Sequence, residues 1–405
     1  MNHFTTLLIR NLLNNEHNLP EFESVLSEVF RQQLEEAVND VLNYELEQFL
    51  GYERYKHTNE KGSRNGFKPE RKIDTKYGPI TIRMPRDRLG LFVSSLIPAY
   101  MRRTQETENS IIDLFDLGLT NSVITEAVEK MFGAKVSRGT VSNITNRIIS
   151  NIDSFKNRHL AKEYAVVYVD ATMMPLRRDT VQKEAVHIAL GIRTDGTKEI
   201  IDYSIAPSES KSNWKEMIES IRERGVERVA LFCTDGLNGM EEVIASVYPM
   251  SRIQRCLLHV QRNISSKCRA SDRAEITEDF KAVYTAADKN AAQDQLANFN
   301  RKWSRKYPKI IESLKSINMF TFYDFPSEIR SSIYTTNMIE SYDKQLKRHF
   351  KAKEQFPTEL SEEKFLVSQF ERYNEKFLNR IHKGFGKVTD FWFSEGSETH
   401  LSTEE

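Results

Sequence analysis

Val167-Val-Tyr-Val-Asp170-Ala171 and Leu231-Phe-Cys-Thr-Asp235-Gly236 decide the reading of this chain. Each is a short apolar run, rich in β-branched and aromatic residues, that reaches an acid. A strand apolar on both faces reads as a central parallel strand of a sheet covered by helices. The surrounding residues follow the same grammar. Strand patterns at 185–192 and 199–204 flank the turn Thr194-Asp195-Gly196, and a helical pattern at 214–224 stops at Gly225. A strand at 228–234 then precedes a helix at 240–248. Ligands of open α/β sheets bind beyond the carboxyl ends of strands. If the two acid-tipped strands are neighbours, Asp170 and Asp235 reach one edge together, where their like charges repel. A divalent cation relieves that repulsion, and carboxylates are hard oxygen ligands suited to Mg²⁺.

A third acid, Glu340, lies in Ile333-Tyr-Thr-Thr-Asn337-Met-Ile-Glu340-Ser341, at the start of a helical pattern over 336–350. Asp343 follows three residues later on the same helix face. Plainer readings stand beside these. Asp at a strand end often caps the next helix, and a helical Glu is commonly a solvent-facing residue.

The chain has 405 residues, enough for two or three domains. No apolar run approaches membrane-spanning length, and residues 1–15 lack the parts of a signal peptide. Three cysteines, Cys233, Cys256 and Cys268, suit a reducing cytoplasm better than a disulfide framework. Net charge is zero, yet the bases cluster. Residues 51–90 hold 11 Lys or Arg against 5 Asp or Glu, including Arg64, Lys68, Arg71 and Lys72. Lys344, Lys347, Arg348, Lys351 and Lys353 follow Glu340. Such clusters are the electrostatic footprint expected on a phosphate backbone, or else a solvated surface.

Upstream, residues 20–50 carry a helical pattern ended by Gly51. Residues 73–85 read as a hairpin turning at Tyr77-Gly78-Pro79. Residues 105–150 read as a helix-turn-helix. One helix ends near Gly118, and a second is capped by Thr120 or Asn121 and stopped by Gly133. A third, over 138–149, is capped by Ser137. Its inward positions are Val141, Ile144 and Ile148. Arg138, Thr140, Ser142, Asn143 and Asn146 face outward, as a helix reading base edges requires. A plain three-helix bundle would look similar.

Several strings occur in order: Val169-Asp170-Ala171, Glu209-Ser-Lys-Ser-Asn-Trp214, Thr234-Asp235-Gly-Leu-Asn-Gly239, Gln254-Arg255-Cys256-Leu-Leu-His259-Val-Gln-Arg262-Asn263 and Tyr334-Thr-Thr-Asn337-Met-Ile-Glu340-Ser341. From about residue 20 to about 390 the chain resembles the Mutator-type transposases of bacterial insertion sequences. The resemblance implies a ribonuclease-H-like (RNase H-like) α/β fold, a mixed sheet flanked by helices. An all-α insertion would interrupt it, and helical and helix-turn-helix DNA-binding domains would precede it. It implies an Asp-Asp-Glu triad at Asp170, Asp235 and Glu340 holding two Mg²⁺ ions, with Mn²⁺ as a substitute. DNA would be cut at the terminal inverted repeats and the 3′-OH joined to target DNA, by a homodimer or larger assembly associated with the nucleoid. The domain boundaries that follow are 1–100, 101–155, 156–255 and 331–395 (catalytic, in two parts), 256–330 (insertion) and a flexible tail at 396–405.

The family's Cys-x-x-His element falls on Cys256 and His259. These could share zinc, but no second ligand pair is spaced for a closed site. Packing or hydrogen bonding beside the centre is the alternative, with Arg255, Arg262 and Lys267 turned toward DNA. Trp303 resembles an insertion tryptophan able to stack on a base, or it is a core residue. Asn337 and Asp343 are supporting residues, and many relatives carry Asn where this chain has Asp343. A catalytically inactive DNA-binding regulator and a hydrolytic nuclease of the same fold remain alternatives.

Overall fold

The computed structural model describes residues 19–53, 63–98, 101–133, 135–208, 210–236, 239–351 and 353–393. The signal-peptide reading of residues 1–15 and the tail at 396–405 lie outside them. The chain divides into two compact units, Met1–Arg147 and Ile148–Glu405. Among the described residues no helix is long and apolar enough to cross a membrane.

The first unit opens with helix α1 (Leu19–Leu50), which lies on the antiparallel hairpin of β2 (Arg71–Thr75) and β3 (Gly78–Ile82). The turn is Lys76-Tyr77, because Thr75 pairs with Gly78 and both Gly78 and Pro79 already belong to β3. Leu42, Leu46 and Leu50 of the helix meet Ile73, Ile80 and Ile82 of the hairpin in one core. Polar residues fix the register of that contact. Asn39 accepts from the Arg83 backbone N–H and donates to the Thr81 carbonyl, while Glu35 accepts from the Thr81 N–H. Strands β1 (Arg64–Phe67) and β4 (Pro85–Asp87) pair separately.

Three helices end this unit: α2 (Gln105–Asp116), α3 (Asn121–Phe132) and α4 (Arg138–Thr145). Thr120 caps α3 by accepting from the Val123 N–H, and Ser137 caps α4 by accepting from the Thr140 N–H. The third helix is shorter than its periodicity predicts. The Asn146 N–H closes α4 on the Ser142 and Ile144 carbonyls, and a separate helix, α5 (Ile148–Asn157), begins the second unit.

The second unit is a mixed α/β fold on a five-stranded sheet ordered β7-β6-β5-β8-β9. Its strands are β5 (Glu163–Arg177), β6 (Val181–Arg193), β7 (Lys198–Ala206), β8 (Arg228–Thr234) and β9 (Arg252–Arg255). β5, β6 and β7 pair antiparallel, while β8 and β9 continue parallel to β5. Helices α6 (Lys211–Glu223) and α7 (Met240–Val247) bury Trp214, Ile218, Ile221 and Ile244 against Tyr164, Val167, Val169 and Phe232. After β9 the chain is helical: α8 (Leu257–Lys267), α9 (Arg273–Tyr284), α10 (Lys289–Trp303), α11 (Pro308–Lys315) and α12 (Ser327–Ile333). Finally α13 (Asn337–Phe350) packs on β5, and α14 (Glu359–Phe377) packs on β7, β5 and α5.

Gly384 closes this unit on α12. It has φ +91°, and a Cβ there would stand 2.3 Å from the Glu328 carbonyl oxygen. Left-handed backbone costs a non-glycine residue about 1–2 kcal/mol before any clash. Gly384→Ala is therefore expected to lower the melting temperature by roughly 4–8 °C, the shift that about 2 kcal/mol produces in a unit of this size. An unchanged thermal unfolding curve would contradict the close approach.

Candidate active site

β5 and β8 place the first two acids. In their parallel pairing Val169 lies opposite Thr234, so the next residues, Asp170 and Asp235, are brought side by side. The strand of Asp170 does not end there, as the sequence pattern suggests. β6 keeps pairing with β5 as far as Arg177↔Val181, which leaves Asp170 in mid-strand opposite Ile188. Only β8 stops, and the site lies at its carboxyl end. Gly236 permits the exit of the chain, with φ +93° and the Arg255 side chain crossing directly over it.

Asp170 is 8% exposed, and its Oδ1 accepts from the Ala171 N–H. Burial, then the charge of Asp235, pushes its pKa up to about 7. Glu340 adds to the rise, while the Ala171 N–H and His259 oppose it. Helix α13 delivers Glu340 in its first turn and Asp343 one turn later. Asp343 is 7% exposed, and its Oδ1 has no hydrogen-bond partner among the described residues. Burial and the charge of Asp170 push Asp343 up to about 8 against the pull of Lys347. Four carboxylates therefore act on one another here, and Asp343 is as much part of the cluster as Glu340.

Glu340 is held differently. Arg262 of α8 grips it with two guanidinium nitrogens, at 2.9 and 3.1 Å, and His259 Nε2 lies 3.7 Å from its Oε1. Burial works to raise Glu340, but Arg262, His259 and Lys344 outweigh it and hold the carboxyl below its ordinary range. Arg262, its side chain still half exposed, thus pairs within the site. Among the described residues, the group of three potential metal-ligating atoms within 4.8 Å of one another is Cys256, His259 and Glu340, not the three expected carboxylates.

Cys256 explains how the strand and helix are tied. Its backbone N–H donates to the Thr234 carbonyl at 2.7 Å, one residue before Asp235. Its Sγ accepts from the Thr336 N–H at 3.3 Å, at the start of α13. His259 Nδ1 lies 3.4 Å from Thr336 Oγ1. The Cys-x-x-His element thus braces the end of β8 to the helix of Glu340. The hydrogen bond with Cys256 raises the His259 pKa against burial. Burial opposes a Cys256 thiolate, yet hydrogen bonds from His259 and Thr336 prevail and hold the thiol below its usual range. Cys268 sits at the far end of α8, its thiol on the Ser265 carbonyl, and supplies no fourth ligand.

The remaining expected residues are dispersed. On α4, Arg138, Asn143 and Asn146 are exposed and Thr140 and Ser142 half-buried, opposite the buried Val141 and Ile144. In the first unit Arg64 pairs with Glu47 at 2.7 Å, Arg71 donates to the Pro98 carbonyl, and Lys68 and Lys72 are exposed. In the second unit Arg255 pairs with Glu241 at 2.7 Å, while Asn337, Lys344, Lys347 and Arg348 are exposed on α13. Trp303 must be corrected. It is 4% exposed, and its indole N–H donates to Asp279 at 2.8 Å, so it is a core residue among the helices and offers no face to a base.

The model of the family described as "Transposase, Mutator family" matches residues 8–379. The transposase for insertion sequence element IS905 of Lactococcus lactis subsp. lactis is 43% identical over 96% of this chain and 98% of its own length. That for IS1201 of Lactobacillus helveticus is 42% identical over 92% of this chain and 100% of its own. Among solved structures, a Drosophila P element transposase strand transfer complex aligns with 69% of this chain and 83% of its own, at 12% identity and a TM-score of 0.28. On the family match and these relatives, the chain belongs to the Mutator family of transposases.

Proposed function

We propose that this protein is a DNA transposase that binds the terminal inverted repeats of its insertion sequence, cuts there, and joins the freed 3′-OH to target DNA. The observation that carries the reading is the cluster at the end of β8. Parallel pairing sets Asp170 beside Asp235, and one helix brings Glu340 and Asp343 to them. The second unit would be an RNase H-like catalytic domain in two parts, 156–255 and 331–395, with 256–330 as its all-α insertion. Residues 1–100 and the helix-turn-helix of 101–155 would grip DNA, α4 presenting Arg138, Asn143 and Asn146.

The residues fit divalent cations. Asp170 and Asp235 stand side by side, burial and then the charge of Asp235 raise Asp170, and a buried Asp343 oxygen lacks a partner, while Glu340 lies with Cys256 and His259. Asp170 and Asp235 would hold two Mg²⁺ or Mn²⁺ ions with Glu340, and Asp343 at hand. Such ions supply Lewis acidity, an activated water and a clamp on the attacking and leaving oxygens. The protein's part is positioning and charge neutralisation. Lys344, Lys347 and Arg348, exposed along α13, would bind phosphates beside the acids. Water attacks the first phosphodiester and a 3′-OH leaves; that hydroxyl then displaces a second 3′-oxygen, so no covalent enzyme intermediate forms. A homodimer, bringing two ends together in the cytoplasm at the nucleoid, completes the reading.

Labelled terminal-repeat DNA incubated with the purified protein and Mg²⁺ tests it. Nicked and joined strands are expected. Nicked strands alone would mean a nuclease, and binding without cleavage a regulator.

The grip of Arg262 on Glu340 has its own consequence. A guanidinium and a cation cannot both neutralise the same carboxylate, so Arg262→Ala is expected to tighten Ca²⁺ binding about two- to fivefold, the scale of one exposed charge pair. Calorimetry showing weaker Ca²⁺ binding in the variant would reverse that conclusion and make Arg262 an aid to the ion.

A further inference from the structure

Cys256 and His259 stand three residues apart at the head of α8, and Glu340 comes to them from the first turn of α13. One ligand atom from each lies within 4.8 Å of the other two. His259 Nε2 is 3.7 Å from Glu340 Oε1. Nitrogen, oxygen and sulfur atoms bound to one tetrahedral zinc ion stand roughly 3.3–3.6 Å apart. Side-chain movements of about 1 Å therefore close this set on an ion.

The backbone around the three residues is already held. The Cys256 N–H donates to the Thr234 carbonyl at 2.7 Å, which fixes the thiol to the end of β8. Thr336 then serves two of the ligands. Its N–H donates to Cys256 Sγ at 3.3 Å, and its Oγ1 lies 3.4 Å from His259 Nδ1. A ligating histidine gives its second ring N–H to an oxygen, which sets the tautomer and aims the ring. Thr336 Oγ1 stands where Nδ1–H needs that acceptor. Nε2, the nitrogen facing Glu340, is left to bear an ion.

The donor set selects the ion. Thiolate and imidazole favour zinc-class metals over Mg²⁺. A thiolate and a carboxylate offset two positive charges, and a neutral imidazole adds none. Three protein ligands with the fourth position left to water form an open zinc site, which needs no second cysteine–histidine pair. Glu340 supplies the third ligand from a distant part of the chain, beyond the reach of sequence spacing. Arg262 now neutralises Glu340, and its half-exposed side chain can withdraw into water as an ion arrives. We infer that Cys256, His259 and Glu340 bind one thiophilic divalent cation of the zinc class, and that this ion arrests cutting. It competes with Mg²⁺ for Glu340 and repels a second dication beside it. The arrest rests on the DNA-cutting reading above, whereas the binding does not.

Co²⁺ is the probe for binding, because a thiolate ligand gives it a charge-transfer absorption and a tetrahedral site gives it strong visible bands. The full chain, kept reduced without added thiol, is titrated with Co²⁺. Both signals are expected to saturate at one ion per chain and to be bleached by Zn²⁺. Cys256→Ser is expected to lose the charge-transfer absorption. Glu340→Gln keeps the thiol and is expected to weaken Co²⁺ binding by at least about tenfold. Asp170→Asn is expected to leave the spectrum unchanged, which separates this site from the paired aspartates. Melting curves check that each variant is folded. In a second arm, a slight excess of Zn²⁺ is expected to slow Mg²⁺-dependent cleavage of terminal-repeat DNA by at least about tenfold.

No charge-transfer absorption in wild type at millimolar Co²⁺ would overturn the inference and leave Cys256 and His259 as a hydrogen-bonded brace. Absorption that persists in Cys256→Ser, or unchanged affinity in Glu340→Gln, would overturn it by assigning the ion to other ligands. Full cleavage with the site filled by Zn²⁺ would overturn the arrest. Absence of cleavage even without Zn²⁺ would overturn the DNA-cutting reading, with the Co²⁺ result still deciding the cation site.

Discussion

Asp170→Asn is expected to abolish strand cleavage, by at least about 10³-fold, while terminal-repeat binding stays within about twofold of wild type. The amide keeps the size of the carboxyl and removes the charge that, with Asp235, would hold the ions. The bases proposed to contact DNA on α4 and α13 are untouched. The same substitution separates lost chemistry from lost folding, because it should stabilise the metal-free protein above neutral pH. Asp170 titrates near 7 in the folded chain, against an ordinary value near 4. Between those values the unfolded chain has released its proton and the folded chain keeps it, so stability falls as pH rises across that interval. Above pH 7 the native state carries the full cost of a buried charge beside Asp235, on the order of a few kcal/mol. Removing it should raise the melting temperature at pH 8 and leave it nearly unchanged at pH 4. A variant that melts lower than wild type at pH 8 would show that Asp170 serves the fold. Full cleavage by the variant would end the triad assignment.

The second large effect belongs to Asp343. Asp343→Asn is expected to lower Mg²⁺-dependent cleavage about 10–100-fold and to raise the Mg²⁺ concentration needed for half-maximal rate, the range seen when groups supporting a metal are lost. The reasons are its buried, unpartnered oxygen and the charge it exchanges with Asp170. Ligands must lose their protons before a cation binds. With Asp170 near 7 and Asp343 near 8, the affinity of wild type for Ca²⁺ should climb steeply from pH 6 to pH 8. The sign for stability is the reverse: metal-free protein loses stability over the same interval, and added Ca²⁺ restores it. In Asp343→Asn both slopes should become shallower, and the Ca²⁺ rise should shift to lower pH, where Asp170 alone sets it. Calorimetric Ca²⁺ titrations at three pH values decide this. Identical profiles for variant and wild type would make Asp343 a bystander.

Local pattern carried much of the architecture. Ser137 and Thr120 capped the helices that their spacing marked, and Val167 to Asp170 formed a strand buried on both faces. These features depend on residues within a few positions of one another, which short-range sterics and hydrogen bonding control. The end of β5 was not legible, because its extension to Arg177 depends on β6 being present to pair with it. The partner of Arg262 was equally hidden. A basic residue near acids in space looks, in sequence, like any other base on a helix. Trp303 shows the same limit from the other side, since only packing decides whether an indole faces solvent or the Asp279 carboxylate.

The sequence by itself determined which family the chain belongs to, the α/β character of the second unit and the identity of its acids, since these rest on residue type and local order. The tertiary structure decided which of those acids act on one another. It drew Asp343 into the cluster, turned Glu340 toward Arg262, and used Cys256 to tie β8 to α13. The physical reason is range. Charge repulsion, burial and bridging hydrogen bonds act through a few ångströms of space, and between residues tens to more than a hundred positions apart that closeness exists only once the chain has folded.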